Sequence, residues 1–465
     1  MHPTSSLAGN SAVTSAGYRS AAAAVQAQLR GAGPATQVRL AKRTSNLFRT
    51  RAPFAGIRLD GAPFSTVLGV DPATRTAEVG GTATYETIVD ATLAHGLMPA
   101  VVPQLRTITL GGAVTGLGIE ATSWRYGLPH ESVLALDVLT GTGEVVTATA
   151  TGEHAELFRM FPNSYGTLGY ALRLTVELLP VEPFVHLRHL PVTSGSELAA
   201  RIAEVCASGE HAGEPVDFVD GTVFSPGEAY LTLGTFTPGA PRTSDYAGRD
   251  IYYRSVQRRS EDWLTVRDFL WRWDTDWFWC SRAFGAQHPL VRPLWPRRYK
   301  RSDVYWRLVA LEQRYGVVRR IDALRGRPRR ESVVQDVEVP VEALPACLEG
   351  IERITGIRPV WVCPLQLRDG AGWPLYPLDP GRLYVNVGFW STVALPAGAD
   401  DGSINRSVEA LVAALGGHKS LYSTVHYSPE EFWARYPAAA YAPAKARYDP
   451  DGRFPDLYAK TVGRA

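Results

Sequence analysis

Cysteine is scarce, with four in 465 residues. Cys206, Cys280, Cys347 and Cys363 form no CxxC pair and sit at no metal-ligand spacing. Unpaired thiols in a reducing compartment are the simplest reading. The ten histidines make no HxxxH or HExxH pattern, which argues against metal catalysis. No GxSxG is present for hydrolase chemistry. No stretch holds 18 consecutive apolar residues, so no helix is expected to span a membrane. Peripheral attachment stays open. The opening MHPTSSLAGNSAVTSAGYRS has no early basic residue and no apolar core, so a secretory signal is not expected. Charge of one sign is lacking as well. The net charge is +2 with 20% charged residues, which excludes a disordered chain or a polycation. Internal repeats and low-complexity tails are absent. These exclusions predict a cytoplasmic protein.

What is present is a globular composition with 45% hydrophobic residues, enough for two to three domains. Helical spacing appears at 21–30 and 84–95, the latter closed by Gly96. Strand patterns appear at 36–41, 65–70, 76–80, 133–139, 144–149 and 170–180, with TGTG as a hairpin signal between the fourth and fifth. A second unit opens with FVHLRHLPV and a helix over SELAARIAEVCAS, and has strand runs at 333–339, 358–363 and 382–389. The expected organisation is α+β: a domain over 1–180, a second α+β domain over 181–428 built on an antiparallel sheet, and a helical segment over 429–465. Inside the second lies an unusual block, 251–330, holding seven tryptophans and more arginine than acid.

The stretch Pro103–Gly118 is rich in glycine, with Gly111, Gly112, Gly116 and Gly118. Glycines let backbone N–H groups approach a phosphate, and the hydroxyls of Thr107, Thr109 and Thr115 can add donors. Gly116, Gly118 and Ala121 match GxGxxA, with Asp137 at about the acidic spacing of a dinucleotide fingerprint. That match is a decoy. No hydrophobic strand precedes it, and Gly127 and Pro129 break the helix that would have to come after it. A ligand-free glycine turn is the competing reading.

Pro103, Thr109-Leu-Gly-Gly, Gly116-Leu-Gly118, Ser123 and Tyr126-Gly127 resemble the FAD-binding domain of the vanillyl-alcohol-oxidase (PCMH) type. Asp137 with the adjoining hairpin and Ser164-Tyr-Gly-Thr-Leu-Gly169 continue the likeness. A resemblance over nearly the full chain is to the delta-24 sterol reductase group. It is carried by Ser45–Arg49, Gly118-Ile-Glu120, Gly166–Gly169, Val334-Gln-Asp336, Trp361–Pro364, Leu383-Tyr384, Glu430–Trp433 and Phe454–Tyr458. Plant and animal members of that group carry an N-terminal membrane anchor, and none is expected here from the residues at the start of this sequence. Asp276–Gly285 and Leu294–Tyr299 are similar to the actinobacterial flavin reductases that convert a 10-methylene acyl chain to 10-methyl, as in tuberculostearic acid.

The resemblance implies a two-domain PCMH-type fold, FAD as cofactor, NADPH as reductant, a lipid or acyl-chain substrate, and a lipid methyltransferase as partner. Many relatives hold FAD through a histidine in the first phosphate loop. Here that loop runs from Ala41 to Phe48 without one, so non-covalent FAD is expected. The cofactor-binding candidates are Lys42, Arg43, Thr44, Ser45, Asn46 and Leu47 in the first loop. In the glycine-rich stretch they are Pro103, Thr107, Thr109, Gly111, Gly112, Gly116, Gly118, Ile119 and Ser123. Further along are Gly166, Thr167 and Gly169, with Arg447 from the Arg-Tyr-Asp-Pro tail that in relatives returns to the flavin. An ordinary basic loop and a surface arginine are the plain alternatives for Lys42–Arg43 and Arg447.

Tyr384 and Asn386 alternate on one strand and would share a face, which in related enzymes meets the flavin. Protonating an exo-methylene gives a tertiary cation, and hydride transfer then completes the reduction. This needs an acid in a dry pocket, and Glu120, Tyr422 and His426 are candidates, with Tyr384, Phe389 and Trp390 as cation-stabilising rings. The Trp/Arg block is either core, or a membrane-surface element at the inner face of the cell membrane, or a nucleic-acid site. No fold motif supports the third, and no nucleic acid is expected. The functional expectation is an FAD-dependent oxidoreductase reducing a lipid C=C bond. The alternatives are a sterol-type double-bond reductase, a flavin oxidase or dehydrogenase of an alcohol or sugar, and a lipid-binding protein with a relic flavin.

Overall fold

The computed structural model describes residues 6–42, 48–49, 54–315, 320 and 324–463. A helix over Ser6–Arg30 packs on a parallel pair, β1 (Val38–Ala41) and β2 (Ile57–Asp60). Its Ala22, Val25 and Leu29 are buried with Val38, Leu59 and Phe64.

The first sheet comprises β3 (Val67–Asp71), β4 (Thr76–Gly80), β5 (Leu97–Pro99), β6 (Val133–Leu139), β7 (Val145–Thr149) and β8 (Tyr170–Pro180). The order is β3-β4-β8-β6-β7, with β5 added to β8, and the pairs are antiparallel. Strand β8 alternates between more and less buried residues from Leu172 to Leu179, as its sequence alternation predicts. The helix Tyr85–Leu93 is capped by Thr84, whose side chain accepts from the Thr87 N–H, and it buries Ile88, Val89 and Thr92. Gly96 lies just beyond it in the left-handed region, at φ +68°.

Strand β9 (Phe184–Val192) opens a larger sheet, and a small hairpin, β10 (Glu210–His211) with β11 (Glu214–Pro215), stands apart. The larger sheet adds β12 (Phe218–Ser225), β13 (Glu228–Thr237), β14 (Glu261–Thr265), β15 (Arg330–Pro340), β16 (Val360–Leu365), β17 (Tyr384–Ala394) and β18 (His418–Lys419). Its order is β14-β9-β13-β12-β16-β17-β15-β18, antiparallel throughout. Strand β16 starts after Pro359, two residues later than expected, because proline donates no ladder hydrogen bond.

Helices Gly195–Ser208, Leu344–Thr355 and Ser403–Ala414 bury their apolar stripes with the β15 and β17 residues Val333, Val337, Val385, Val387 and Phe389. The opposite face joins the core shared with the first sheet. The α+β class with antiparallel sheets stands.

Two features refine the sequence reading. Trp271, Trp273, Trp277 and Trp279 are buried in the shared core, so these rings are interior rather than a membrane-facing belt. The C-terminal segment packs back on the N-terminal unit: Arg453 donates to the Leu29 carbonyl at 2.7 Å, and Phe454 joins the cluster under the first helix. Among the described residues, no helix is long and apolar enough to cross a membrane.

Gly81, just after β4, is tightly enclosed. A Cβ there would stand 1.9 Å from the Ala171 carbonyl oxygen, whereas one on Gly69 would meet nothing. Gly81→Ala is therefore expected to destabilise by about 2 kcal/mol or more, and Gly69→Ala by no more than about 0.5 kcal/mol. Urea unfolding of the two variants measures both.

Candidate functional site

The two sheets face each other across a cavity that is open at its mouth. One wall comes from the first unit. The loop after β4 brings Gly81 and Thr82. The glycine-rich stretch brings Pro103, Thr109, Gly111, Gly112, Gly116, Gly118 and Ile119, and the turn before β8 brings Gly166 and Gly169. Arg39, Lys42, Arg49 and Lys460 also line it, and Asp336 is the one acid among the described lining residues. Four cations against one acid suit a doubly charged pyrophosphate.

The glycines act differently from the sequence expectation. A short helix over Leu110–Thr115 is capped by the Thr109 side chain. Its first N–H groups already have partners: Leu110 donates to Ala83, Gly111 to Gly81, and Gly112 to the Thr109 hydroxyl. Thr115 donates back to the Gly111 carbonyl. What the glycines supply is room. A Cβ on Gly112 would lie 3.3 Å from Lys42 Nζ, and one on Gly118 would press on the rings of Pro103 and Pro129 at 2.8 and 2.7 Å. Gly166 and Gly169 have φ of +76° and +138°, which L side chains rarely adopt. The charge comes from Lys42, whose ammonium donates to Thr109 at 3.4 Å.

The opposite wall is the floor of the larger sheet. Its register places Trp361, Gly388 and Asp336 in one row across β16, β17 and β15. Gly388 is required there, because a Cβ would stand 2.4 Å from Asp336 Oδ1 and 2.8 Å from the Trp390 ring. Asn386 and Trp390 flank the row on the same strand face. Asn386 Nδ2 donates to Asp336 Oδ1 at 3.1 Å. Tyr422 Oη donates to Asp336 Oδ2 at 2.7 Å and accepts from Trp390 Nε1 at 3.0 Å.

Burial pushes the Asp336 carboxyl up to about 7, against the hydrogen bonds from Asn386 and Tyr422 and the charge of Lys419. Glu338, two residues along the same face, is raised by burial to about 8. Trp277 and Phe278 complete an aromatic lining with Trp361 and Trp390. The Phe278 and Trp390 rings lie 4.3 Å apart.

Of the expected site residues, Lys42, Pro103, Thr109, Gly111, Gly112, Gly116, Gly118, Ile119, Gly166, Gly169, Asn386 and Tyr422 meet at this cavity. Arg43, Thr44, Ser45, Asn46 and Leu47 lie outside the described residues. The others do not line it. Thr107 is buried within the stretch. Ser123 accepts from the Glu120 N–H, and Thr167 closes its own turn on Ser164. Arg447 is a correction: it points away to Glu153 and Glu156, at 3.5 and 3.8 Å. Its helix turns Lys445 inward instead, onto Asp449 and the Thr167 carbonyl.

Tyr384 shares the strand face of Asn386 but sits at the strand's end, its hydroxyl accepting from the Asp379 N–H. Phe389 faces the helices. His426 lies under Gly402, its N–H on Glu409.

Glu120 is enclosed in a buried ion cluster rather than aimed at the cavity. Arg272, fully buried, donates to Glu120 at 2.7 Å and Asp220 at 2.8 Å. Trp273 and Trp361 also donate to Asp220. Burial raises the Glu120 carboxyl to about 7, opposed by Arg272.

Asp336 and Lys460 line the cavity without having been among the expected site residues. The signal for Asp336 was an acid at alternate positions with Glu338 in an otherwise apolar strand. Lys460 carried none.

These residues fit FAD: cations and close-packed glycines on one wall, rings and the unpartnered, buried Asn386 Oδ1 on the other. Residues 18–149 match the family described as FAD binding domain. The chain carries an FAD-binding domain. Delta(24)-sterol reductase of Homo sapiens is 25% identical over 411 residues, covering 85% of this chain and 75% of that protein. The Arabidopsis thaliana protein of the same name is 24% identical over 441 residues, 87% of this chain and 76% of its own length. Cytokinin dehydrogenase 2 of Oryza sativa subsp. japonica matches at 28% identity over 162 residues, 34% of this chain and 28% of that protein. The chain is an FAD-dependent oxidoreductase.

Lys42→Met is expected to weaken FAD binding about ten-fold and Arg447→Ala to leave it unchanged, as read by flavin titration. Because the folded pKa of Glu120 lies above its ordinary value, its contribution to stability is complete below about 4.5 and is lost as pH rises through about 7. Glu120→Gln should reduce the fall in unfolding free energy between about pH 5 and 8, measured by urea titration across that range.

Proposed function

We propose that this oxidoreductase reduces an isolated carbon–carbon double bond of a lipid, with NADPH as electron donor and FAD held non-covalently. The substrate of choice is a phospholipid acyl chain bearing a 10-methylene group, made by a lipid methyltransferase and converted here to 10-methyl. The carrying observation is the pairing of an aromatic floor with one buried acid, Asp336, hydrogen-bonded to Tyr422. Sugar or alcohol oxidation calls for several polar groups to orient hydroxyls, whereas this floor offers Trp277, Phe278, Trp361 and Trp390. The names of the human and Arabidopsis relatives support double-bond reduction.

Lys42, Arg39, Arg49 and Lys460 would hold the pyrophosphate, and Asn386 would meet the flavin ring or the substrate. Reduced FAD supplies hydride when bound. With Asp336 protonated, its O–H donates to Tyr422 Oη and frees the tyrosine proton for the cavity. Tyr422 then protonates the methylene carbon as Asp336 reprotonates Tyr422. The ring faces stabilise the tertiary cation, and their apolar surface excludes water that would trap it.

The proton donor is intact only while Asp336 keeps its proton. Single-turnover product formation should therefore fall as pH rises through about 7. Asp336→Asn should abolish that limb, and Tyr422→Phe should slow turnover by about 100-fold or more, with FAD still bound. The deciding assay supplies NADPH and 10-methylene phospholipid to the holoenzyme and looks for a two-hydrogen mass gain. Reduction of a delta-24 sterol alone would shift the substrate to sterols. Hydrogen peroxide release with an alditol and no alkene reduction would overturn the proposal.

A further inference from the structure

From Leu290 to Arg301 the chain exposes apolar side chains on a loop that is firmly anchored. Leu290 is 76% and Leu294 82% exposed, with Val291 and Tyr299 beside them. Between the leucines, Arg292 points inward. It donates to Asp276 at 2.6 and 2.9 Å and to the carbonyls of Tyr246, Arg249 and Asp250. Lys300 is likewise buried, on the carbonyls of Ala247 and Gly248 at 2.8 and 2.6 Å. The leucines are thus held in water by a rigid frame, at a cost that burial in an apolar medium would remove.

The surroundings are cationic. Arg249, Arg258 and Arg282 line a groove with Pro289 and Pro293, and these three arginines have no carboxylate partner among the described residues. Of the groove's acids, Asp250 is paired with Arg259 at 2.7 Å and Glu228 accepts from the neutral Gln257 at 2.7 Å, so the groove's arginines outnumber its one unpaired carboxylate. Arg298, against the Tyr299 ring, adds a fourth such cation.

We infer that this loop and groove dock the protein onto an anionic phospholipid surface, with Leu290, Val291 and Leu294 entering the acyl boundary and the arginines meeting phosphate headgroups. Charge complementarity selects this occupant, since unneutralised arginines around exposed leucines match the polar–apolar boundary of an anionic bilayer. The patch is also joined to the cavity. Trp295 and Phe284 contact Tyr305 at 6.2 and 5.9 Å. Next to Tyr305 on the helix Ser302–Tyr315, Trp306 contacts the cavity-lining Phe48 and Trp277 at 5.1 and 6.2 Å. The inference rests on the lipid-substrate reading for its purpose, but its test does not depend on turnover.

Holoenzyme is sedimented with vesicles of phosphatidylcholine alone, or with about one third phosphatidylglycerol. The wild type is expected to bind the anionic vesicles at least about ten-fold more tightly. Leu290→Asp/Leu294→Asp should raise the lipid concentration for half-binding about ten-fold or more, and Arg258→Glu/Arg282→Glu should remove the anionic preference. Both should keep the wild-type FAD content and unfolding temperature. A wild type that ignores anionic vesicles would overturn the inference. So would a leucine variant that binds them normally, or one that loses only a concentration-dependent dimer.

Turnover of a dispersed short-chain methylene lipid by the same variants separates the two ideas. Unchanged turnover without vesicle binding in the wild type sinks docking alone. Vesicle binding without any alkene reduction sinks the substrate reading alone.

Discussion

A guanidinium without water holds the two halves of this enzyme together. Arg272 is fully buried between Glu120, just past the glycine-rich stretch, and Asp220 on β12. An arginine cannot shed its proton in a protein interior, so its burial is tolerable only when carboxylates meet it at close range. The two acids that do so come from different units of the chain. Trp361, on the cavity floor, donates to the same Asp220, so the ion cluster also sets where the floor stands relative to Ile119 and Gly118. Burial raises the Glu120 carboxyl, Arg272 opposes that shift, and the second carboxylate of the cluster, Asp220, adds to it.

The cavity divides its labour between its walls. The first unit brings positive charge and backbone that can be approached closely. The larger sheet brings rings and one acid, spaced by the antiparallel register and by the missing Cβ of Gly388. Asp336 and Glu338 both face inward, and both are pushed above the usual carboxylate range. A flavin site needs an electrostatic anchor remote from the reacting carbon and a dry surface beside it, and this arrangement separates the two.

The tryptophan-rich block shows how composition can mislead about placement. Its rings at 271, 273, 277 and 279 stack into the interior, and Trp277 helps form the cavity. Among the apolar residues of the block that stay in water are leucines on a loop pinned by Arg292. Composition registers the excess of tryptophan and arginine but not which side chain an ion pair draws inward.

Local pattern was enough for much of this. Strand patterns and a hairpin signal located β6, β7, β8 and the start of β17, helical spacing with capping residues defined the helix at Tyr85–Leu93, and the order of glycine motifs located the glycine-rich wall of the cavity. These features depend on residues close in sequence, where steric and hydrogen-bonding preferences act directly. Other facts rest on contacts between residues far apart in the chain. Arg447 turns to Glu153 and Glu156 while Lys460 reaches the cavity. Glu120 is taken up by Arg272, and Asp336 meets Tyr422 across 86 positions. Sheet register and the pairing of buried charge decided these, because the energy of a buried acid or base depends on which partner the fold brings to it, and no local pattern carries that information.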